Sequence, residues 1–216
     1  MTTPRRIVHG TELSGHTHRV VNFLGLLGLP YELIDTPAAA RSTPAFRALN
    51  PLGQIPVLED GELVLADSNA ILIYLARRYA GTSSWLPDEP VAAARVQRWL
   101  SIAAGEMKFG PAAARVITIW GGPGDLAEAH AVAARLFQFM EGQLASRSFL
   151  TGAQPTLADV SCYSYAARAP EGRISLAPYP HLRAWIARLE ALPGFRAMPV
   201  TPIPDPAGGA PAGGAT

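Results

Sequence analysis

The stretch NPLGQIPVLEDGELVLADSNAILIYLARRY, residues 50–79, decides the reading of the fold. Two short apolar runs, Ile55–Leu58 and Leu63–Leu65, flank Glu59-Asp60-Gly61, and Asp-Gly between extended runs is a hairpin signal. From Asp67 the period changes. Ile71, Leu72, Leu75 and Tyr79 fall on one face, so the spacing predicts a helix over 67–79. Pro56 stands at the start of the first run, where it deletes a ladder donor. Two geometries fit: an ordinary edge-strand proline, or a cis Ile55–Pro56 peptide that turns the Ile55 amide and carbonyl outward.

Upstream, Ile7–His9 reads as a strand and Tyr31–Ile34 as a second. Between them Ser14–Gly28 is helical, with Val20, Leu24 and Leu27 in register and a stop at Gly28 and Pro30. The intervening TPAAARSTPAFRALNPLGQ (36–54) is loop-rich and partly helical. The order β-α-β-(α)-β-β-α is that of a compact α/β unit. Composition changes at GTSSWLPDEP (81–90), a turn-rich linker. Beyond it Val91–Ala104, Leu126–Leu144 and Tyr179–Leu192 have helical spacing, and Val116–Trp120 is the only strand-like run. Thr156-Leu-Ala-Asp159 reads as a capping box with Asp in place of Glu. PDPAGGAPAGGAT (204–216) has nothing to anchor a core and is expected to be disordered. The expected organisation is an α/β domain over 1–80, a linker over 81–90, an all-helical domain over 91–202 and a tail over 203–216.

Composition excludes several classes. A chain of 216 residues with 49% hydrophobic and 16% charged residues can bury a substantial core. A net charge of +1 offers no footprint for nucleic acid or anionic membrane. No apolar run reaches the roughly 18 residues of a membrane span, and the N-terminus lacks a signal-peptide core. The single cysteine, Cys162, cannot pair within the chain or build a thiolate zinc site. It reads as a buried packing residue, and the cytoplasm is the expected location.

ELSGHTHRVV (12–21) gathers Ser14, His16, His18 and Arg19. A metal pair at His16 and His18 fails on geometry, because residues two apart lie about 200° apart on a helix. A hydrolase nucleophile at Ser14 lacks the glycine-flanked elbow. On local evidence Ser14 is simply an N-cap, for which serine is strongly preferred. The helix opening at Asp67 and Ser68 brings free amides, a hydroxyl and a positive dipole end to one point, a ready carboxylate site or a plain cap.

Taken together, a Ser-containing loop entering a helix, then N-P-x-G-x-x-P-x-L, then an acid-Ser pair opening a helix resembles the glutathione transferase family. The likeness extends over about residues 6–199, including T-L-A-D at 156–159 and PYPHLRAWIARLEALPGF. It implies a thioredoxin-like domain that binds glutathione as co-substrate, an all-α domain for a small hydrophobic electrophile, a homodimer, and a role in detoxification without a metal. By the same resemblance Ser14 holds the glutathione sulfur, with no Tyr or Cys available for that role before the first helix. Ile55, preceding Pro56, pairs with the cysteinyl part; Asp67 and Ser68 receive the γ-glutamyl end; and Gln54 lies near the glycyl end. Asp67 is shorter than the Glu or Gln usual there, and His16 and His18 flank the activating hydroxyl, so either is a candidate for the thiol or the glycyl carboxylate. Met107, Phe109, Arg115 and Tyr163 are the candidates for the electrophile pocket. Glutathione-dependent peroxidase or disulfide reductase chemistry, and a non-catalytic glutathione-binding module, are the competing readings.

Overall fold

A computed structural model describes residues 5–81 and 83–204 of the chain, and its first unit is built on a four-stranded sheet. Its strands are β1 (Arg6–Gly10), β2 (Glu32–Asp35), β3 (Val57–Asp60) and β4 (Leu63–Ala66), in the spatial order β2-β1-β3-β4. β1 runs parallel to β2, with Val8 opposite Leu33, and antiparallel to β3, with Val8 opposite Leu58. The β3–β4 hairpin turns at Gly61, whose φ of 64° is open to glycine at little strain. The Ile55–Pro56 peptide is cis. Ile55 lies just outside the ladder, which begins at Val57.

Helices α1 (Gly15–Leu26) and α4 (Ser68–Tyr79) pack on this sheet through Val20, Phe23, Leu24, Ile71, Leu72 and Leu75, all fully buried. Short helices α2 (Ala38–Arg41) and α3 (Pro44–Leu49) fill the loop-rich stretch. Each long helix starts on a side-chain cap: Ser14 accepts from the Thr17 amide, and Asp67 accepts from the amides of Asn69 and Ala70. These caps satisfy amides that would otherwise be orphaned in the first turn.

The second unit is helical: α5 (Pro90–Ala104), α6 (Ala113–Trp120), α7 (Leu126–Leu144), α8 (Leu157–Ala167) and α9 (Pro180–Glu190). A single wide helical turn, Lys108–Ala112, leads into α6, and a 3-10 turn, Ala169–Gly172, follows α8. Val116–Trp120, expected as strand-like, is the body of α6. Its β-branched run favours extended backbone locally, but packing against α7 and the 3-10 turn overrides that preference. The segment read as a linker is tethered. Trp85 packs edge-on against Phe23 at 5.3 Å, and its carbonyl accepts from the Leu157 amide at 2.8 Å. Val96, Leu100, Leu157 and Val160 complete the core of the first unit, so the two units share apolar packing. The expected tail lies outside the described residues from 205 onward.

Asp159 anchors the helical unit. It is fully buried and accepts from the Thr156 amide at 2.8 Å, the Leu150 amide at 2.9 Å and the Trp185 indole at 2.8 Å. Burial pushes its pKa up, and these bonds pull it back. Asp159→Ala strands three buried N–H donors. Each unsatisfied donor costs about 1–3 kcal/mol, so urea denaturation is expected to show a loss of at least about 3 kcal/mol, with Asp159→Asn losing less.

Candidate active site

A cleft of about 940 Å³ opens between the C-terminal end of β1, the N-terminal end of the antiparallel β3, the N-termini of α1 and α4, and α6. Gly10 ends β1 beneath it. A Cβ there would sit 2.3 Å from Thr17 Oγ1, so only glycine lets α1 start this close to the strand. Gly15 is confined in the same way, because a Cβ would meet the Tyr165 ring of α8 at 2.6 Å.

Ser14, His16, Gln54, Ile55, Pro56, Asp67, Ser68 and Arg115 all line the cleft. The Ser14 oxygen accepts from the Thr17 amide at 3.3 Å, so its own hydrogen is left to donate outward. Asp67 uses one carboxylate oxygen, Oδ1, for both cap bonds at 2.9 Å, which leaves Oδ2 without a hydrogen bond among the described residues. Its backbone φ of 74° is unusual for a residue with a side chain and is the kind of strain, about 1–3 kcal/mol, that collects at functional sites. Asn50 braces the loop between them by donating to the Gln54 carbonyl at 2.8 Å.

The two histidines part company. His16 Nδ1 lies 2.9 Å from Arg19 Nη1 and 3.3 Å from Ser68 Oγ, on the cleft floor. His18 points the other way, into α8 and the C-terminal segment, with Nδ1 2.8 Å from Ser164 Oγ and Nε2 2.8 Å from the Arg196 carbonyl. His18 is therefore a brace between α1 and α8 and no part of the cleft. Burial lowers the pKa of His16 to about 3, with Arg19 and Lys108 adding repulsion, and lowers that of His18 to about 4. Both rings are neutral at pH 7.

Three expected electrophile-pocket residues lie elsewhere. Met107 is wholly buried in the helical core, because its side chain faces the packed interior. Phe109 is 60% exposed and outside the cleft. Tyr163 is buried with its hydroxyl donating to Glu190 at 2.5 Å, while Tyr165, on the opposite side of α8, reaches the cleft. Arg115 does line the cleft, but its guanidinium is committed. It donates to Glu171 at 2.6 Å, to the Leu13 carbonyl at 2.8 Å and to Thr201 at 2.9 Å. Cys162 is buried away from the cleft, and burial pushes its thiol up to about 12, so it is an inert packing group.

The cleft also contains Arg19, Arg41, Lys108, Trp120 and Tyr165, to which spacing alone assigned no role. Only Arg19 carried a signal: it falls four residues before the buried Phe23 and so puts a charge on the apolar stripe of α1. The others come from loops and helices whose meeting is tertiary.

Residues 8–83 match the family model described as glutathione S-transferase, N-terminal domain, and residues 123–188 match glutathione S-transferase, C-terminal domain. Glutathione S-transferase 3 of Zea mays is 33% identical, with 92% of this chain and 96% of that protein covered. Glutathione S-transferase theta-1 of Bos taurus is 32% identical over 77% of this chain and 74% of that one. Among solved structures, a glutathione S-transferase from Pseudomonas fluorescens superposes with a TM-score of 0.83 at 33% identity, covering 89% of this chain and 98% of its own. A theta class glutathione S-transferase from Xanthomonas axonopodis with glutathione bound gives 0.77 at 30% identity, covering 88% and 95%.

The neutral histidines make a pH prediction. An unfolded chain protonates histidine at about 6.5, above the folded values of about 4 for His18 and about 3 for His16. The unfolded state therefore takes up protons first, and the stability from these rings is complete above pH ~6.5 and declines as pH falls toward 4. Thermal melts from pH 7 to 5 are expected to fall less steeply for His18→Gln than for wild type; parallel curves would show that His18 does not contribute to the pH dependence.

Proposed function

The chain belongs to the glutathione S-transferase family, and on that premise we propose that it joins glutathione to a small hydrophobic electrophile, with the Ser14 hydroxyl holding the sulfur as a thiolate. One observation carries the assignment: Ser14 caps α1 with its oxygen, so its hydrogen is free toward the cleft at the positive end of that helix. A free thiol ionises at about 8.5. Lowering that to about 6.5 requires roughly 2.7 kcal/mol of preference for the thiolate. A hydrogen bond to a charged acceptor supplies about 1.5–3 kcal/mol, and the helix end about 0.3–1 kcal/mol. Ser14 acts only as a donor. The thiol proton leaves to solvent through the open cleft. The thiolate then attacks the electrophilic carbon, and a C–S bond forms as the leaving group departs with its electron pair.

The remaining lining residues suit the tripeptide. Asp67 Oδ2 and the Ser68 hydroxyl at the start of α4 face the γ-glutamyl end, and the Ile55 backbone beside Pro56 faces the cysteinyl unit. Gln54 and Arg41, whose buried Nε has no partner among the described residues, face the glycyl carboxylate. His16 lies between the γ-glutamyl and sulfur positions. The electrophile then falls on the helical side, against Leu13, Val116, Trp120 and Tyr165. In this reading the chain works in the cytoplasm as a homodimer, the sheet unit of one copy on the helical unit of the other.

Ser14→Ala is expected to raise the pKa of bound glutathione by about 1–2 units, the equivalent of the lost bond. Turnover with a chloronitrobenzene is expected to fall at least about tenfold at pH 6.5, with Ser14→Thr recovering part of it. Unchanged rate and thiol pKa would move the role away from Ser14. Turnover of hydroperoxides or mixed disulfides in preference to the chloronitrobenzene would favour the reductive chemistry instead.

A further inference from the structure

Three arginines are buried among the described residues: Arg6, Arg19 and Arg115. Arg6 pairs with Asp60 at 3.6 Å and Arg115 with Glu171 at 2.6 Å. Arg19, only 1% exposed, has no carboxylate within salt-bridge distance among the described residues, and its Nε and Nη2 make no hydrogen bond. A guanidinium stays charged in a protein, and an unpaired buried charge is costly. The feature that uses this charge is on the cleft floor, where the single nitrogen Nη1 lies 2.9 Å from His16 Nδ1 and 3.3 Å from Ser68 Oγ.

We infer that Arg19 is a positioning residue that sets the hydrogen-bond polarity of the cleft, fixing both His16 and Ser68 as donors toward an anionic peptide ligand. Arginine can donate and cannot accept. Its two Nη1 hydrogens therefore occupy the one lone pair of His16 Nδ1 and a lone pair of Ser68 Oγ. With Nδ1 accepting, the ring hydrogen must be on Nε2. The Ser68 hydroxyl is 3.3 Å from the same Nδ1, but that lone pair is already taken by the shorter bond, so the Ser68 hydrogen is released to the cleft. The lowered pKa of His16 keeps its ring neutral and thus in one tautomer. Ser14 reaches the same polarity by a separate route, through the Thr17 amide. The cleft floor thus presents three donors over a positive charge that rests on the Tyr165 ring, at 5.6 Å, with no carboxylate in salt-bridge distance among the described residues, a match for the carboxylate and thiolate of the tripeptide. In this arrangement His16 is excluded as a general base, because its only basic nitrogen faces Arg19.

The identity of the ligand rests on the proposed function; the polarity does not. Long-range proton–nitrogen correlation spectra of wild-type protein labelled at histidine nitrogen are expected to show His16 as a neutral Nε2–H tautomer from pH 5 to 9. An Nδ1–H tautomer, or an imidazolium at pH 7, would overturn the inference. Calorimetry with glutathione then tests the consequence through the cycle R19M, S68A and R19M/S68A. Arg19→Met is expected to weaken binding about tenfold or more, and Ser68→Ala to matter much less in the Arg19→Met background than in wild type. Additive losses, or an Arg19→Met affinity within twofold of wild type, would contradict it. If Arg19→Met does not fold, the wild-type spectrum decides alone. A wild type that binds no glutathione overturns the transferase reading, while the tautomer still decides the role of Arg19.

Discussion

Everything in the cleft depends on how α1 is seated against α8 and the C-terminal segment that follows α9. The contact is specific at three levels. Gly15 meets the Tyr165 ring where no other side chain fits, His18 bonds Ser164, and Asn22 accepts from the Arg196 amide at 2.9 Å. One helix therefore belongs to the core of the sheet unit on one face and is clamped by the helical unit on the other. Its first turn carries Ser14 and His16, and its buried stripe carries Arg19. Any shift of α1 would move the donor, the histidine and the charge together. This ties the binding function proposed for the sheet side to the integrity of the helical unit.

Much of this was legible in the residues. The hairpin at Asp60-Gly61, the helix opening at Asp67, the cap at Ser14 and the box at Thr156–Asp159 are local devices, and each appears where its chemistry put it. Val116–Trp120 misread as extended because β-branched propensity is weak against packing. Met107 and Tyr163 look like pocket candidates by type and location, yet the side of the helix that faces the cleft is fixed by tertiary contacts. Tyr165, two residues from Tyr163, is the one that faces it. His16 and His18 are separated by the same rule, since adjacent alternate positions on a helix face different neighbours. Arg19 is the clearest case. Its charge was visible, but its lack of a carboxylate partner among the described residues is a property of the fold alone.

Burial gives the polar groups of this site a fixed direction. In water a serine or a neutral histidine donates or accepts as the partner requires. Here the Arg19 guanidinium takes the one lone pair of His16 Nδ1, and the Thr17 amide and Arg19 each take one of the two lone pairs on Ser14 and Ser68, which leaves both hydroxyl hydrogens free to donate to an anion. Arg115 performs a different task nearby: it ties the Leu13 carbonyl to Glu171 and Thr201, holding the loop that delivers Ser14. Neither arginine needs to touch a substrate to shape the reaction.

In the proposed reaction this cleft holds a sulfur as its anion. The most direct test is the ultraviolet absorbance of the thiolate in a pH titration of glutathione bound to the wild-type protein. Ionisation is expected at least about one unit below the ~8.5 of a free thiol. A bound thiol that titrates at the free value would contradict it.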